Sequence, residues 1–211
     1  KDRGGFDADY NSRNTEFRYN YSHDNNFAFA IMRKYGQGIY FHHNISINDR
    51  YGFLHYGFYD DHAISDVIVS NNTFYSTSPN MMMFMNFGPL REPIDTTIVD
   101  NIFVFAGEGA TWGSDPSAER GNVFENNIVI GLEDPNYIDL TADPLLRAPG
   151  DGGTEIDMTD PNRLAGYKLC LGSPALGAGT PGSNDATKDF WGDSINSINI
   201  GAYGGEGVTC E

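Results

Sequence analysis

Apolar and polar residues alternate in short stretches along the first 131 positions, and the alternation returns at a fixed place relative to an asparagine. Asn20, Asn44, Asn72, Asn101 and Asn127 recur at spacings of 24, 28, 29 and 26 residues. Three positions before each stands an apolar side chain, in order Phe17, Phe41, Val69, Ile98 and Phe124. One and three positions after come Tyr21/His23, Ile45/Ile47, Thr73/Tyr75, Ile102/Val104 and Ile128/Ile130. A period of two is that of a strand with one buried face, and no 3.6-residue period competes with it. Each unit therefore reads as strand, Asn turn, strand. A third strand fits at Phe27–Met32, Tyr51–Gly57, Met81–Phe87 and, weakly, Ala110–Gly113. Three short strands in roughly 25 residues make one turn of a parallel β-helix, whose rungs stack like positions over one another. The Asn residues are expected at the corners, because Asn tolerates the left-handed conformation and its amide both donates and accepts. Stacked in this way they form an internal ladder.

Composition agrees with an all-β chain. Gly reaches 25 and Asn 20 of 211 residues, an excess of turn formers. The net charge of −16 argues against a nucleic-acid ligand, which needs a Lys/Arg footprint. No apolar run approaches the roughly 18 residues of a membrane-spanning helix. Acid is concentrated late: residues 1–50 hold seven basic and six acidic side chains, the rest six and 23. All five His lie between His23 and His62, and eight of twelve Tyr precede residue 60, so the polar and aromatic chemistry is at the front. From Glu133 the repeat gives way to Asp/Pro/Gly-rich sequence, expected to wrap the C-terminal end of the same domain. Residues 1–132 are thus the rungs, about five to six of them, and 133–211 the cap. Cys170 and Cys210 read as one disulfide or two buried thiols. Of the glycosylation patterns at Asn20, Asn44 and Asn71, the last is expected to be the best acceptor, lying off the ladder.

The repeats, as in Val67-Ile68-Val69-Ser70-Asn71-Asn72-Thr73-Phe74, resemble the right-handed parallel β-helix proteins of the pectate-lyase-like superfamily. The front segment Gly4-Gly5-Phe6-Asp7-Ala8-Asp9-Tyr10-Asn11 is similar to a motif of extracellular β-helix proteins. The tail segments Ser173–Gly179, Asp189-Phe190-Trp191-Gly192 and Ile200-Gly201-Ala202-Tyr203 look like the part that closes many of them. The resemblance implies a secreted, carbohydrate-active protein and leaves the reaction open. Members usually cover their N-terminal rung, whereas this chain starts directly in one. A preceding part of the same protein, or a second chain, is expected to cover it.

Candidate chemistry lies at the front. In Phe6-Asp7-Ala8-Asp9-Tyr10 the alternation puts both carboxylates on the face opposite the apolar residues. Two residues of strand advance ~6.6 Å, within reach of the carboxyl spacing of an inverting glycosidase. The same pair, Asp7 and Asp9, is also a candidate Ca²⁺ site or a solvated edge; no other cofactor is implied. His23 and Asp24 are a second acid/base candidate, expected one rung from His42-His43, of which only one is expected to point outward. Arg18, Arg33, His42, His55 and Tyr56 are candidate substrate contacts. Asp60-Asp61-His62 is a weaker acidic signal, and Met81–Met85 reads as packing. The expected function is extracellular polysaccharide cleavage, with hydrolysis favoured over β-elimination because the negative charge repels a polyuronate. A non-catalytic carbohydrate-binding or surface-structural β-helix is the other reading.

Overall fold

A computed structural model describes residues 4–32, 36–57, 65–86, 95–113, 121–133, 140–183 and 185–210. The chain is a parallel β-solenoid. One sheet stacks β1 (Gly4–Ala8), β4 (Phe27–Met32), β7 (Gly52–Gly57) and β10 (Met82–Asn86). A second stacks β2 (Arg13–Arg18), β5 (Gln37–His42), β8 (Ser65–Ser70), β11 (Thr96–Val99) and β13 (Val123–Glu125). The third stacks β3 (Tyr21–His23), β6 (Ile45–Ile47), β9 (Thr73–Ser76), β12 (Ile102–Phe105) and β14 (Ile128–Ile130). All these pairings are parallel, and four strands in the first sheet mean about four turns rather than five to six.

The asparagines form the expected ladder. The backbone N–H and Nδ2 of Asn20 both donate to Oδ1 of Asn44, at 2.9 and 3.1 Å. Asn44 does the same to Asn72, Asn72 to Asn101 and Asn101 to Asn127, every bond between 2.9 and 3.0 Å. The other Nδ2 proton is used as well: Asn44 donates to the Phe17 carbonyl, Asn72 to Phe41, Asn101 to Val69 and Asn127 to Ile98. The recurring apolar position is therefore the residue whose side chain fills the core and whose carbonyl holds the ladder. Phe17, Phe41, Val69, Ile98 and Phe124 stand in register, and the Phe17 and Phe41 rings stack at 4.8 Å.

One detail of the corner differs from expectation. The left-handed residue is the one before each ladder Asn: Tyr19, His43, Asn71, Asp100 and Asn126 have φ between 51° and 59°. The chain must reverse its side-chain direction there so that the following amide points inward along the stack. The reversal costs ~1–2 kcal/mol at a residue such as Tyr or His.

Residues 140–183 and 185–208 pack along the side of the third sheet rather than only across the end of the coil. Ile45, Ile47, Ile102 and Ile128, facing away from the solenoid interior, are buried under Leu164, Tyr167, Leu169, Phe190, Trp191, Ile200 and Tyr203. Both faces of that sheet are covered, and β12 (Ile-Phe-Val-Phe) and β14 (Ile-Val-Ile) accordingly read as continuous apolar runs. The segment is tied down by polar bonds. Thr180 N–H donates to Asp100 at 2.9 Å, and Asn71 Nδ2 donates to the Asn199 carbonyl at 2.8 Å. Asn71, expected as an exposed glycosylation acceptor, is consequently buried. Cys170 and Cys210 form a disulfide across 40 residues.

A third polar device sits where the third sheet turns into the first. Asp49, fully buried, accepts bonds from the hydroxyls of Ser22 (2.6 Å) and Ser46 (2.7 Å) and from the Asn25 N–H (2.8 Å). Burial raises its pKa against the pull of these donors.

Replacing Asn72 by Ala strips partners from buried groups above and below it. Urea denaturation should show a loss of about 3–5 kcal/mol, from at least two unpaired buried groups at ~1–3 kcal/mol each, and less than half that for Asn20→Ala at the half-buried end. Replacing both cysteines by Ser should cost about 4 kcal/mol on the chain-entropy account of a loop this long, measured in the same way.

Candidate functional site

The outward face of the second sheet carries polar and aromatic groups beside the C-terminal segment. Register places Glu16, Tyr40, Ile68 and Thr97 in one outward row, and Arg18, His42, Ser70 and Val99 in the next. Gly182, Ser183 and Asp185 of the C-terminal segment stand against these rows. Between them lies a cleft of about 640 Å³, lined also by Asn14, Glu16, Tyr40, His42 and Ser70.

Glu16 is the centre of the charged groups here. Its Oε1 accepts from Nε2 of His42 at 2.7 Å and from Nη1 of Arg18 at 3.3 Å. His42 Nδ1 in turn lies 3.0 Å from His43 Nδ1. Both imidazoles are buried, while the Glu16 carboxylate is 39% exposed and open to the cleft. His43 lines a second, smaller cavity of about 150 Å³ with Asn71, Thr180, Ser183 and Tyr203. Burial, with the adjacent His42 adding to it, lowers the His43 pKa to about 3. The Tyr19 ring stands 6.2 Å from both imidazoles, and its hydroxyl pKa is raised by burial and by Glu16, Asp189 and Asp185, against the Arg18 guanidinium over its ring.

The adjacent histidines thus share a side, contrary to the expectation that only one points outward. The strand ends at His42, and the left-handed turn at His43 swings its ring back to its neighbour.

Other expected residues fall elsewhere. Asp7 is exposed on the first sheet, in register with Ala30, and so stands on a different sheet from the cleft. Asp9 lies beyond the end of β1, where its carboxylate accepts the Tyr10 N–H at 2.9 Å; the alternation stops at Ala8 and Tyr10 is 50% exposed. Among the described residues no group of three or more His, Cys, Asp or Glu is arranged to hold a metal ion. His23 and Asp24 do pair, at 3.0 Å, but not beside His42 and His43. His23 is opposite Ile47 at the far end of β6, whereas His42 and His43 precede Asn44 and the near end of that strand. Asp24 instead lines a groove of about 430 Å³ with Arg50, Tyr51 and Thr77. His55 and Tyr56 are corrected as surface contacts: both are buried, His55 against the Phe27 ring at 4.3 Å and Tyr56 in the core, its hydroxyl donating to Thr96 at 3.4 Å. The first sheet buries both faces at this level, Ala30 and Met85 outward and Phe29 and Leu54 inward. Arg33 and the run Asp60-Asp61-His62 lie outside the described residues.

Glu16, Tyr40 and Asp185 were not anticipated. The strand register alone could have supplied the first two, since Glu16 and Tyr40 both stand one position before the apolar ladder neighbour. No known protein family and no curated protein matches the chain.

His43 is neutral in the fold at any pH well above 3, while an unfolded chain protonates it near 6.5. Its contribution is present above pH 6.5 and is lost as pH falls from there towards 3, on the order of 5 kcal/mol in all. Denaturation midpoints across this range should therefore fall less steeply for His43→Asn than for the parent chain. Taking the difference between the two removes the opposite slope contributed by Asp49.

Proposed function

We propose that this is an extracellular carbohydrate-active β-solenoid of the pectate-lyase-like kind, which holds a polysaccharide in the cleft on the second sheet and hydrolyses it there. The observation that carries the reading is the cleft itself, in which the Tyr40 ring shares a wall with Glu16, His42, Asn14 and Ser70 and faces Asp185. An aromatic face takes the apolar side of a sugar ring, and the surrounding amide, hydroxyl and carboxylate groups take its hydroxyls. Glu16 and Asp185 supply two carboxylates, the minimum for general acid and base work on a glycosidic bond. The disulfide between Cys170 and Cys210 suits an oxidising compartment.

The same residues argue about the sugar's charge. A polyuronate would bring anions towards Glu16 and Asp185 in a chain of net charge −16, so an uncharged glycan is the better ligand. The binding-only reading gains from the bonds that already occupy Glu16, whose Oε1 accepts from both His42 and Arg18.

A panel of neutral and acidic polysaccharides, read by affinity electrophoresis and by release of reducing ends, tests both readings. Tyr40→Ala should weaken binding of the preferred neutral glycan about tenfold, for the loss of a stacking contact worth ~1.4 kcal/mol. Glu16→Gln should keep that binding and lower reducing-end release by at least about a hundredfold. Binding without release in the parent chain would leave the non-catalytic module, and unsaturated products absorbing in the ultraviolet would replace hydrolysis by β-elimination.

A further inference from the structure

The bonds around Glu16 define more than a pair. A carboxylate only accepts, so the 2.7 Å bond from His42 Nε2 places a proton on that nitrogen. Neutral His42 then has a bare Nδ1. The 3.0 Å contact between the two Nδ1 atoms needs one hydrogen, which must come from His43. Neutral His43 is left with a bare Nε2, and His43 is the side chain of this chain of bonds that lines the smaller cavity. Glu16 meanwhile opens into the larger one, and the two cavities share Gly182 and Ser183 in their walls.

We infer that Glu16, His42 and His43 form a proton relay between the two cavities, with His43 as the positioning residue that reloads Glu16. A hydronium ion in the smaller cavity breaks one of its O–H bonds as the His43 Nε2–H bond forms, and is left as water. The His43 Nδ1–H then breaks as His42 Nδ1–H forms, and the His42 Nε2–H breaks as the Glu16 carboxyl O–H forms. One proton enters, one arrives, and no electron changes owner. This rests on the hydrolytic reading, in which Glu16 gives its proton to the departing glycosidic oxygen while the cleft is filled by the sugar. The relay supplies the replacement from the other side.

The surroundings suit neutral hops. Around the pair stand Glu16, Arg18 and Tyr19 from β2 and its turn, Asn71 from the next turn, and Tyr203 and Asp185 from the C-terminal segment, with Asp189 acting on Tyr19. Burial disfavours a resting imidazolium at His43, so the pair passes a proton without storing it.

His43→Asn is the variant that separates relay from structure. Asn tolerates the left-handed backbone of this position, and its amide N–H can still donate to His42, but an amide does not pass a proton on. Long-range ¹H–¹⁵N spectra of the labelled parent chain should show His42 protonated at Nε2 and His43 at Nδ1. Solvent exchange of the His42 Nε2 proton should slow at least about tenfold in His43→Asn. Glycan binding should be unchanged, while turnover should fall about tenfold or more and lose its parent pH profile. The opposite tautomers, or equal exchange rates in the two proteins, overturn the relay whether or not any sugar is cut. Absence of turnover in the parent chain, with the tautomers and exchange as expected, removes the hydrolytic reading and leaves the relay standing.

Discussion

Everything in this fold depends on one bifurcated acceptor repeated up the stack: an asparagine Oδ1 that takes both the N–H and the Nδ2–H of the asparagine one rung before it. A parallel coil has corners where backbone groups leave the sheet ladder, and a buried corner without partners would cost ~1–3 kcal/mol per group. The Asn amide meets that demand with one side chain, because its Oδ1 accepts from the rung before while its Nδ2 donates one proton to the next rung's amide and the other back to a carbonyl of the rung before. It also fixes register. A slip of one residue would move Phe41, Val69 and Ile98 out of the core and the amides out of reach of one another.

This is why the architecture was legible in the chain and the cleft was not. The ladder is a one-dimensional pattern: an Asn, an apolar residue three places earlier, and a spacing that each rung must repeat. The third strands expected at Phe27–Met32 and Tyr51–Gly57, found at Phe27–Met32 and Gly52–Gly57, followed from the same arithmetic. The cleft instead combines β2 and β5 with Ser183 and Asp185, some 140 to 170 residues further along, and nothing local announces that meeting. Asp7 and Asp9 looked persuasive because they alternate with apolar residues, but alternation reports only a face. It does not say which sheet the face belongs to or whether the strand continues past Ala8. Tyr56 fails because it points into the core, and His55 for a related reason. A side chain pointing away from the coil is usually solvated, yet here Phe27 and Met85 share a buried outer face with His55.

The C-terminal segment has two physical roles that the sequence merges into one Asp/Pro/Gly-rich stretch. Its apolar residues bury the outward isoleucines of the third sheet, which would otherwise be an exposed patch. Its polar loop reaches round the ladder corner, fastened at Asp100 and Asn71, and becomes the second wall of the cleft. Asn71, Asp100 and Asn126 are left-handed corner residues, so the positions that the ladder forces outward are also those that anchor the wall.

The same forcing produces the chemistry. In an extended strand, neighbouring side chains point to opposite faces, and His42 and His43 could not touch. The ladder requires Asn44 to turn inward, that requirement puts His43 in the left-handed region at φ 51°, and the turn brings its ring to the side of His42. Most corners spend this conformation on Asn or Asp, for which it is mild; Tyr19 and His43, the two that do not, flank Glu16 and the cleft. The strain at these two corners is therefore placed where a convergence of imidazoles and a carboxylate is obtained in return.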